Sequence, residues 1–239
     1  MTTHRSSRAP ISYFVTGASS GIGLEIVRLL DARGEQVIAT GRRQSADLPA
    51  GFPDVPYHVA DLADVAARTR LVEALPATLD RAILCAGKGH YRALTEEVDS
   101  EMADVVEVNV RANIHLTHGL YQPLVAASGR IALVGSVARK GASTMPIYSA
   151  SKAAIDGLAR SLALEWQGRI TVKALHPGPT ATGMSVRSGR PADFFDRIML
   201  KPEAVASTIL AMLEENGGYR RTISYPRILT DTLLRRSTT

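Results

Sequence analysis

The chain has 239 residues, 45% of them hydrophobic and 21% charged, with a mean hydropathy of +0.01, which suits one large globular domain and leaves no stretch that would span a bilayer. A formal charge of +5 would fit a nucleic-acid partner, but Lys and Arg are scattered and aromatics are only 5% of residues, so the charge is read as solubility and attraction for an anionic ligand. The single cysteine, Cys85, cannot form an internal disulfide, which implies a reducing, cytoplasmic setting without a thiolate metal cluster.

Residues 1–10 carry Arg5, Arg8 and several Ser and Thr but no apolar stretch, the pattern of a flexible tail rather than a signal peptide. Residues 11–16 form a short apolar run. It stops at Gly17-Ala18-Ser19-Ser20-Gly21-Ile22-Gly23, after which Leu24, Ile26, Val27, Leu29 and Leu30 follow at helical spacing. That order predicts strand, glycine turn and helix. Glycines let the backbone approach a pyrophosphate, while the free N–H groups and positive dipole of a helix N-terminus face it. Gly17, Ser19, Ser20, Gly21, Ile22 and Gly23 are therefore candidate cofactor contacts.

Gly34 caps the helix, and residues 35–40 give a second strand that ends in Thr40-Gly41-Arg42-Arg43. An NAD enzyme places Asp or Glu at this strand end, where the carboxylate accepts from the ribose hydroxyls. Guanidinium groups bind a 2′-phosphate instead, through charge-assisted hydrogen bonds of roughly 1.5 to 3 kcal/mol each. Arg42 and Arg43 thus favour NADP(H). A third strand over 57–60 ends in Asp61-Leu62, and a helix over 65–75 closes at Pro76. Asp61 either accepts from an adenine amino group or caps that helix. Residues 81–85 make a fourth strand running into Ala86-Gly87-Lys88-Gly89, so Cys85, Ala86 and Gly87 stand at the carboxyl edge where ligands bind in an open α/β sheet. Cys85 has no activating base nearby in sequence and is read as a buried small residue.

Residues 95–127 read as one long or two consecutive helices that bury Val105, Val106, Val108, Val110, Ile114, Leu116 and Leu120. Asn109 interrupts that apolar face, as a structural bridge or as part of a polar site. His115 and His118 stand at helical spacing without a third ligand, so no metal is expected. Residues 129–135 are a nearly continuous apolar strand of the kind buried on both faces of a parallel sheet, and Ser136 closes it. The alternation of strands and helices predicts one α/β domain, a doubly wound parallel Rossmann sheet of about seven strands with helices on both faces. Ser136 would then stand at the ligand edge with its hydroxyl available to a substrate carbonyl. No nearby His-Asp pair supports a hydrolase triad.

Tyr148-Ser149-Ala150-Ser151-Lys152 leads into a run over 153–166 that reads as helix. One helical turn apart, Tyr148 and Lys152 share a face. The pair is either an ordinary amphipathic edge with a snorkelling lysine or a chemical device. In the second case a fixed ammonium stabilises the phenolate, and a shift of roughly 3 units corresponds to about 4 kcal/mol. Tyr148 then serves as a general acid or base.

The residues Thr16 to Gly23, Asn109, Ser136, and Tyr148 with Lys152, in this order and at these separations, resemble the short-chain dehydrogenase/reductase family over nearly the whole chain. Residues 170–174 resemble its sixth strand, and His176-Pro177-Gly178-Pro179-Thr180-Ala181-Thr182 resembles its loop over the nicotinamide. The resemblance implies an NADP(H)-dependent oxidoreductase, with residues 11–239 as the Rossmann domain, that moves a hydride between the nicotinamide and a carbonyl or secondary alcohol. It implies Tyr148 as acid/base, Lys152 lowering its pKa and holding the nicotinamide ribose, Ser136 orienting the carbonyl, and Asn109 holding a water in a proton relay. It further implies Arg42 and Arg43 at the 2′-phosphate, Asp61 and Leu62 at the adenine, Pro177 and Gly178 in the nicotinamide loop, Thr180 and Thr182 at the carboxamide and phosphate, and a homodimer or homotetramer. An NADP(H)-binding sensor or scaffold without turnover is the alternative, although binding alone does not require the Asn109, Ser136, Tyr148, Lys152 set.

The chain departs from the family in two places. Leu84-Cys85-Ala86-Gly87 stands where the family commonly has Asn-Asn-Ala-Gly, so a thiol replaces a side chain that usually bonds the sheet or cofactor. Residues 217–226 offer a seventh strand, and a basic amphipathic extension over 227–239 replaces the usual short ending; its Ile228, Leu229, Leu233 and Leu234 pack on the body, a partner subunit or a membrane. Residues 184–202 are expected to form a substrate flap, with Phe194, Phe195, Ile198, Met199 and Leu200 apolar and Gly183, Gly189 and Pro191 as breakers. Tyr91, Ala142 and Met145 complete an apolar wall for a small, largely apolar substrate, while Arg139, Lys140 and Arg187 meet an acidic group or face solvent.

Overall fold

The computed structural model describes residues 9–189 and 199–224, together with Pro226 and Ile228. Seven segments form strands: β1 (Ser12–Thr16), β2 (Gln36–Gly41), β3 (Tyr57–Val59), β4 (Arg81–Leu84), β5 (Arg130–Val134), β6 (Thr171–Pro177) and β7 (Arg220–Ile223). They pair in parallel in the order β3-β2-β1-β4-β5-β6-β7. The order reverses at β1, where Thr16 lies between Thr40 of β2 and Leu84 of β4. In a doubly wound sheet, the crevice at the carboxyl ends of the strands beside such a reversal is the ligand site.

Alternation along each strand sends side chains to two layers. Phe14 joins the core beneath α2 (Val65–Glu73), α4 (Ala112–Ala126) and α5 (Pro146–Glu165), which contribute Leu71, Leu116, Leu120, Ile155 and Leu162. Tyr13 and Val15 face the opposite layer, built from Ile26, Val27 and Leu30 of α1 (Gly21–Ala32) and Val205, Ile209 and Leu213 of α7 (Pro202–Glu214). Past the end of α1, Gly34 sits at φ +73°, and the Glu35 N–H donates to Leu30 O at 3.1 Å, which turns the chain into β2. The helix α7 was not among the elements read from sequence, although Pro202 in its first turn and the spacing of Val205, Ile209 and Met212 mark it.

Two expected helices differ in detail. α5 begins at Pro146 rather than near 153, because a proline in the first turn needs no N–H partner; Tyr148 and Lys152 therefore lie inside the helix. The stretch 95–127 is divided into α3 (Asp99–Val106), a π-helical turn over Glu107–Arg111, and α4. The wider turn changes which side chains face inward, so Val105, Val108, Leu116 and Leu120 are buried, whereas Val106 and Ile114 are 47% and 49% exposed. Ile228 packs against the α1/α7 core, the first of the three places expected for the C-terminal apolar residues. Leu229, Leu233, Leu234, the first eight residues, and Pro191, Phe194, Phe195 and Ile198 of the expected flap lie outside the described residues. No helix among the described residues is long and apolar enough to cross a membrane.

Candidate active site

The glycine turn after β1 is closed by its own geometry. Gly17 and Gly21 adopt φ +69° and +56°, and a Cβ at Gly23 would lie 2.3 Å from Gly17 O. The Thr16 hydroxyl accepts from Cys85 N at 3.0 Å and Ala86 N at 3.1 Å, which fixes the turn against the end of β4. The first turn of α1 contains no acidic residue, so its N–H groups are open to an anion.

Arg42 and Arg43 are exposed just past β2. Arg43 O accepts from the Tyr57 hydroxyl at 3.1 Å, and a Cβ at Gly41 would come within 2.7 Å of that hydroxyl. Asp61 does not cap α2: its carboxylate accepts from Ala63 N at 3.0 Å, while Asp64, three residues on, accepts from Ala66 N. The Leu62 side chain is buried in the core and its carbonyl accepts from Arg68. Ser19 hydrogen-bonds the Tyr57 hydroxyl. These five candidates, Ser19, Arg42, Arg43, Asp61 and Leu62, lie outside the lining of the main cleft, beside β2 and β3.

The other candidates except Asn109 line one cleft of about 620 Å³. It runs from Gly17, Ser20, Gly21, Ile22 and Gly23, past Cys85, Ala86 and Gly87, to Ser136, Tyr148 and Lys152, under Pro177, Gly178, Thr180 and Thr182. Gly87 keeps its floor open, since a Cβ there would meet Lys152 Nζ at 3.3 Å. A closed glycine turn, free helix N–H groups and a channel leading to a phenol fit a nicotinamide dinucleotide.

At the inner end, Ser136 caps the short turn Val137–Lys140, its hydroxyl accepting from Ala138 N at 3.1 Å and hydrogen-bonding the Tyr148 phenol. Lys152 Nζ lies 5.6 Å from the centre of the Tyr148 ring and donates to Val134 O at 2.9 Å. Burial lowers the Lys152 ammonium to about 8, and burial also raises the Tyr148 phenol, against the lowering effect of Ser136. Desolvation is thus the largest influence on both groups in this structure. Burial pushes the Cys85 thiol up to about 11, which suits the inert role expected of it. Gly89, read from sequence only as part of the turn after the fourth strand, lets that loop lie on the Tyr148 ring; a Cβ there would sit 2.6 Å from the ring.

Asn109 is fully buried and its side chain is a bridge. Its amide donates to Lys88 O at 2.7 Å and Ser151 Oγ at 2.9 Å, and its carbonyl oxygen accepts from Lys88 N at 2.8 Å. Its main-chain oxygen accepts from Asn113 Nδ2 at 2.8 Å. The π-helical turn thus ties the β4 loop to α5, directly behind Tyr148.

Tyr91, Ala142 and Met145 line the cleft as expected, joined by Val137, Met184 and Met199. Arg139 does not reach it: its guanidinium lies 3.5 Å from Asp156, which also contacts His176 at 3.2 Å and Arg220 at 3.1 Å. Burial alone would raise Asp156, but the Arg220 hydrogen bond and the charges of His176 and Arg139 hold its carboxyl below the usual range. Lys140 is likewise absent from the lining, whereas Arg187 is part of it. Possible metal ligands come together at a place the sequence did not mark. His90, Glu97 and Glu101 approach within 4.8 Å of one another, but Arg92 already donates to Glu101 at 2.6 Å, and none of the three lines the cleft.

The family model described as short chain dehydrogenase matches residues 12–192. Galactitol 2-dehydrogenase (L-tagatose-forming) of Cereibacter sphaeroides is 34% identical over 193 residues, 76% of each chain. The 3-oxoacyl-acyl-carrier-protein reductase of Escherichia coli (strain K12) is 32% identical over 180 residues, 72% of this chain and 74% of its own. A solved short chain dehydrogenase/reductase family protein superposes with a TM-score of 0.77 at 28% identity, covering 89% of this chain and 95% of the other. A Burkholderia cenocepacia J2315 short chain dehydrogenase in complex with NADP, 24% identical, shares the fold at a TM-score of 0.79 over 96% of this chain and 95% of its own. The chain belongs to the short-chain dehydrogenase/reductase family of oxidoreductases.

Proposed function

We propose that the protein is an NADP(H)-dependent oxidoreductase that interconverts a carbonyl and a secondary alcohol on a small, largely apolar substrate, with reduction as its working direction. One observation carries this reading: the cleft that starts at the glycine turn ends at Ser136, Tyr148 and Lys152. Gly17, Ser20, Gly21, Ile22, Gly23 and the loop over Pro177–Thr182 would hold the dinucleotide, with Arg42 and Arg43 at its 2′-phosphate. When bound, the nicotinamide supplies or accepts the hydride. The protein places the substrate oxygen and moves a proton. Ser136, oriented by Ala138 N–H, donates a hydrogen bond to the carbonyl oxygen, and Tyr148 gives that oxygen its proton in reduction or takes one back in oxidation. The apolar wall of Tyr91, Val137, Ala142 and Met145 supports a largely apolar substrate and excludes water. The names of the curated relatives, a dehydrogenase of a polyol and a reductase of 3-oxoacyl groups, support alcohol and carbonyl chemistry.

The test is Tyr148→Phe, which removes one oxygen. NADPH consumption with a panel of ketones and aldehydes should fall by about 10²–10⁴-fold while NADPH affinity stays within about threefold. Retention of more than a few per cent of turnover would remove Tyr148 from the mechanism. NADPH binding by the wild type without oxidation by any carbonyl would favour the sensor reading. A cytoplasmic setting and a homodimer or homotetramer are part of the proposal, and the exposed apolar side chains of Val106, Ile114 and Leu164 support the second.

A further inference from the structure

Two segments that pack against the glycine turn carry arginines, and a Cβ at Gly41, just before Arg42 and Arg43, would lie 2.9 Å from Ser19 Oγ. Arg42 and Arg43 follow β2, and Arg187 is the last residue of α6 (Gly183–Arg187). α6 is held in place at both ends. Ala181 N donates to Leu200 O at 3.0 Å, Leu200 N to Pro179 O at 2.8 Å, and Tyr91 N to Ser188 O at 2.7 Å. A Cβ at Gly21 would meet the Thr182 methyl at 3.1 Å, so this segment lies directly against the turn. Within that frame Arg187 folds back over Gly183, its Nη1 only 2.6 Å from where a Cβ would stand, and it lines the same cleft as Ser20 and Gly21.

Resting on the NADP(H) reading above, we infer that Arg187 is a third guanidinium for the cofactor's 2′-phosphate, brought from α6 to act with Arg42 and Arg43. Its electrostatic surroundings agree with that position. Partial burial, then the charges of Arg43 and Arg42, hold Arg187 below its ordinary range, and no carboxylate among the described residues offsets them. Arg42 and Arg43 extend from β2 on one side of β1, whereas Ser136 extends from β5 on the other. Like charges gathered in one place repel, and a phosphate dianion would relieve all three at once. This places the cation of the flap base on the cofactor rather than on an acidic substrate.

Calorimetric titration of the full chain with NADPH, NADH and 2′-AMP reads the effect directly. Arg187→Gln should weaken NADPH and 2′-AMP by about tenfold or more and NADH by less than about twofold, with Arg187→Lys intermediate. Gly183→Ala, whose Cβ displaces the guanidinium, should reproduce the selective loss with Arg187 still present. Equal weakening of NADPH and NADH would put Arg187 at the shared diphosphate and overturn the inference, as would unchanged affinities in a folded variant. A wild type without preference for NADPH would instead remove the cofactor reading, and the inference with it.

Discussion

The Tyr148 phenol is buried beside a single hydroxyl partner, so it keeps its proton through the neutral range. Reduction uses that proton and is lost only as pH rises through the raised phenol pKa; oxidation needs the phenolate and gains over the same rise. Hence kcat/KM for ketone reduction should stay level from about pH 6 to 9 while that for alcohol oxidation climbs, and a reduction profile falling near neutrality would contradict the assignment. Lys152 makes a separate prediction about stability. The unfolded chain holds this proton up to 10.5 and the folded chain releases it near 8, so below about 8 the buried ammonium is a cost, and the folded state gains stability as pH rises between those values. Lys152→Met should therefore resist urea better than wild type near pH 7, by on the order of 2–3 kcal/mol, with the gap closing toward about pH 10.5. An unchanged pH dependence in the variant would show that Lys152 does not carry the linkage. Tyr148, Ser136 and Lys152 were legible in the sequence because their residue types and spacing suggest their chemistry. Arg139 was not, because its partner Asp156 is brought to it only by the fold.

At the scale of the element, glycines with the same lack of a side chain do opposite things. A Cβ at Gly23 would strike Gly17 O at 2.3 Å, backbone against backbone, whereas Gly157 in α5 has nothing within 4 Å. Gly23→Ala should lose roughly 3 kcal/mol or more in denaturant melts together with cofactor binding, while Gly157→Ala should gain about 0.5–1 kcal/mol with binding intact. Matching effects from the two would disprove the close packing of the turn. The strands were legible as apolar runs and the turn as punctuation. The start of α5 was misread because apolar periodicity begins several residues after Pro146; two consecutive helices over 95–127 were one of the two readings, but the π-helical turn that joins them leaves no composition signal.

The whole molecule is a parallel sheet covered on both faces, and its topology was readable because alternating strand and helix patterns leave few right-handed arrangements. Partnership between copies was expected from the family resemblance alone, and the surface for it was not readable, since it is assembled from distant segments. If a second copy covers α4, Ile114→Asp should lower the molar mass seen in analytical ultracentrifugation without unfolding the chain; a wild type sedimenting as a monomer would remove the oligomer from the account. The central claim, an NADP(H) enzyme whose chemistry starts from a phosphate-anchored dinucleotide, is tested most directly by titrating the pure protein with NADPH and NADH side by side, repeated on the Arg42→Ala, Arg43→Ala double variant. NADPH bound tighter by roughly a hundredfold, with that preference lost in the variant, is the predicted result. Equal binding of the two cofactors, or none of either, would contradict it and leave Tyr148 without a hydride source.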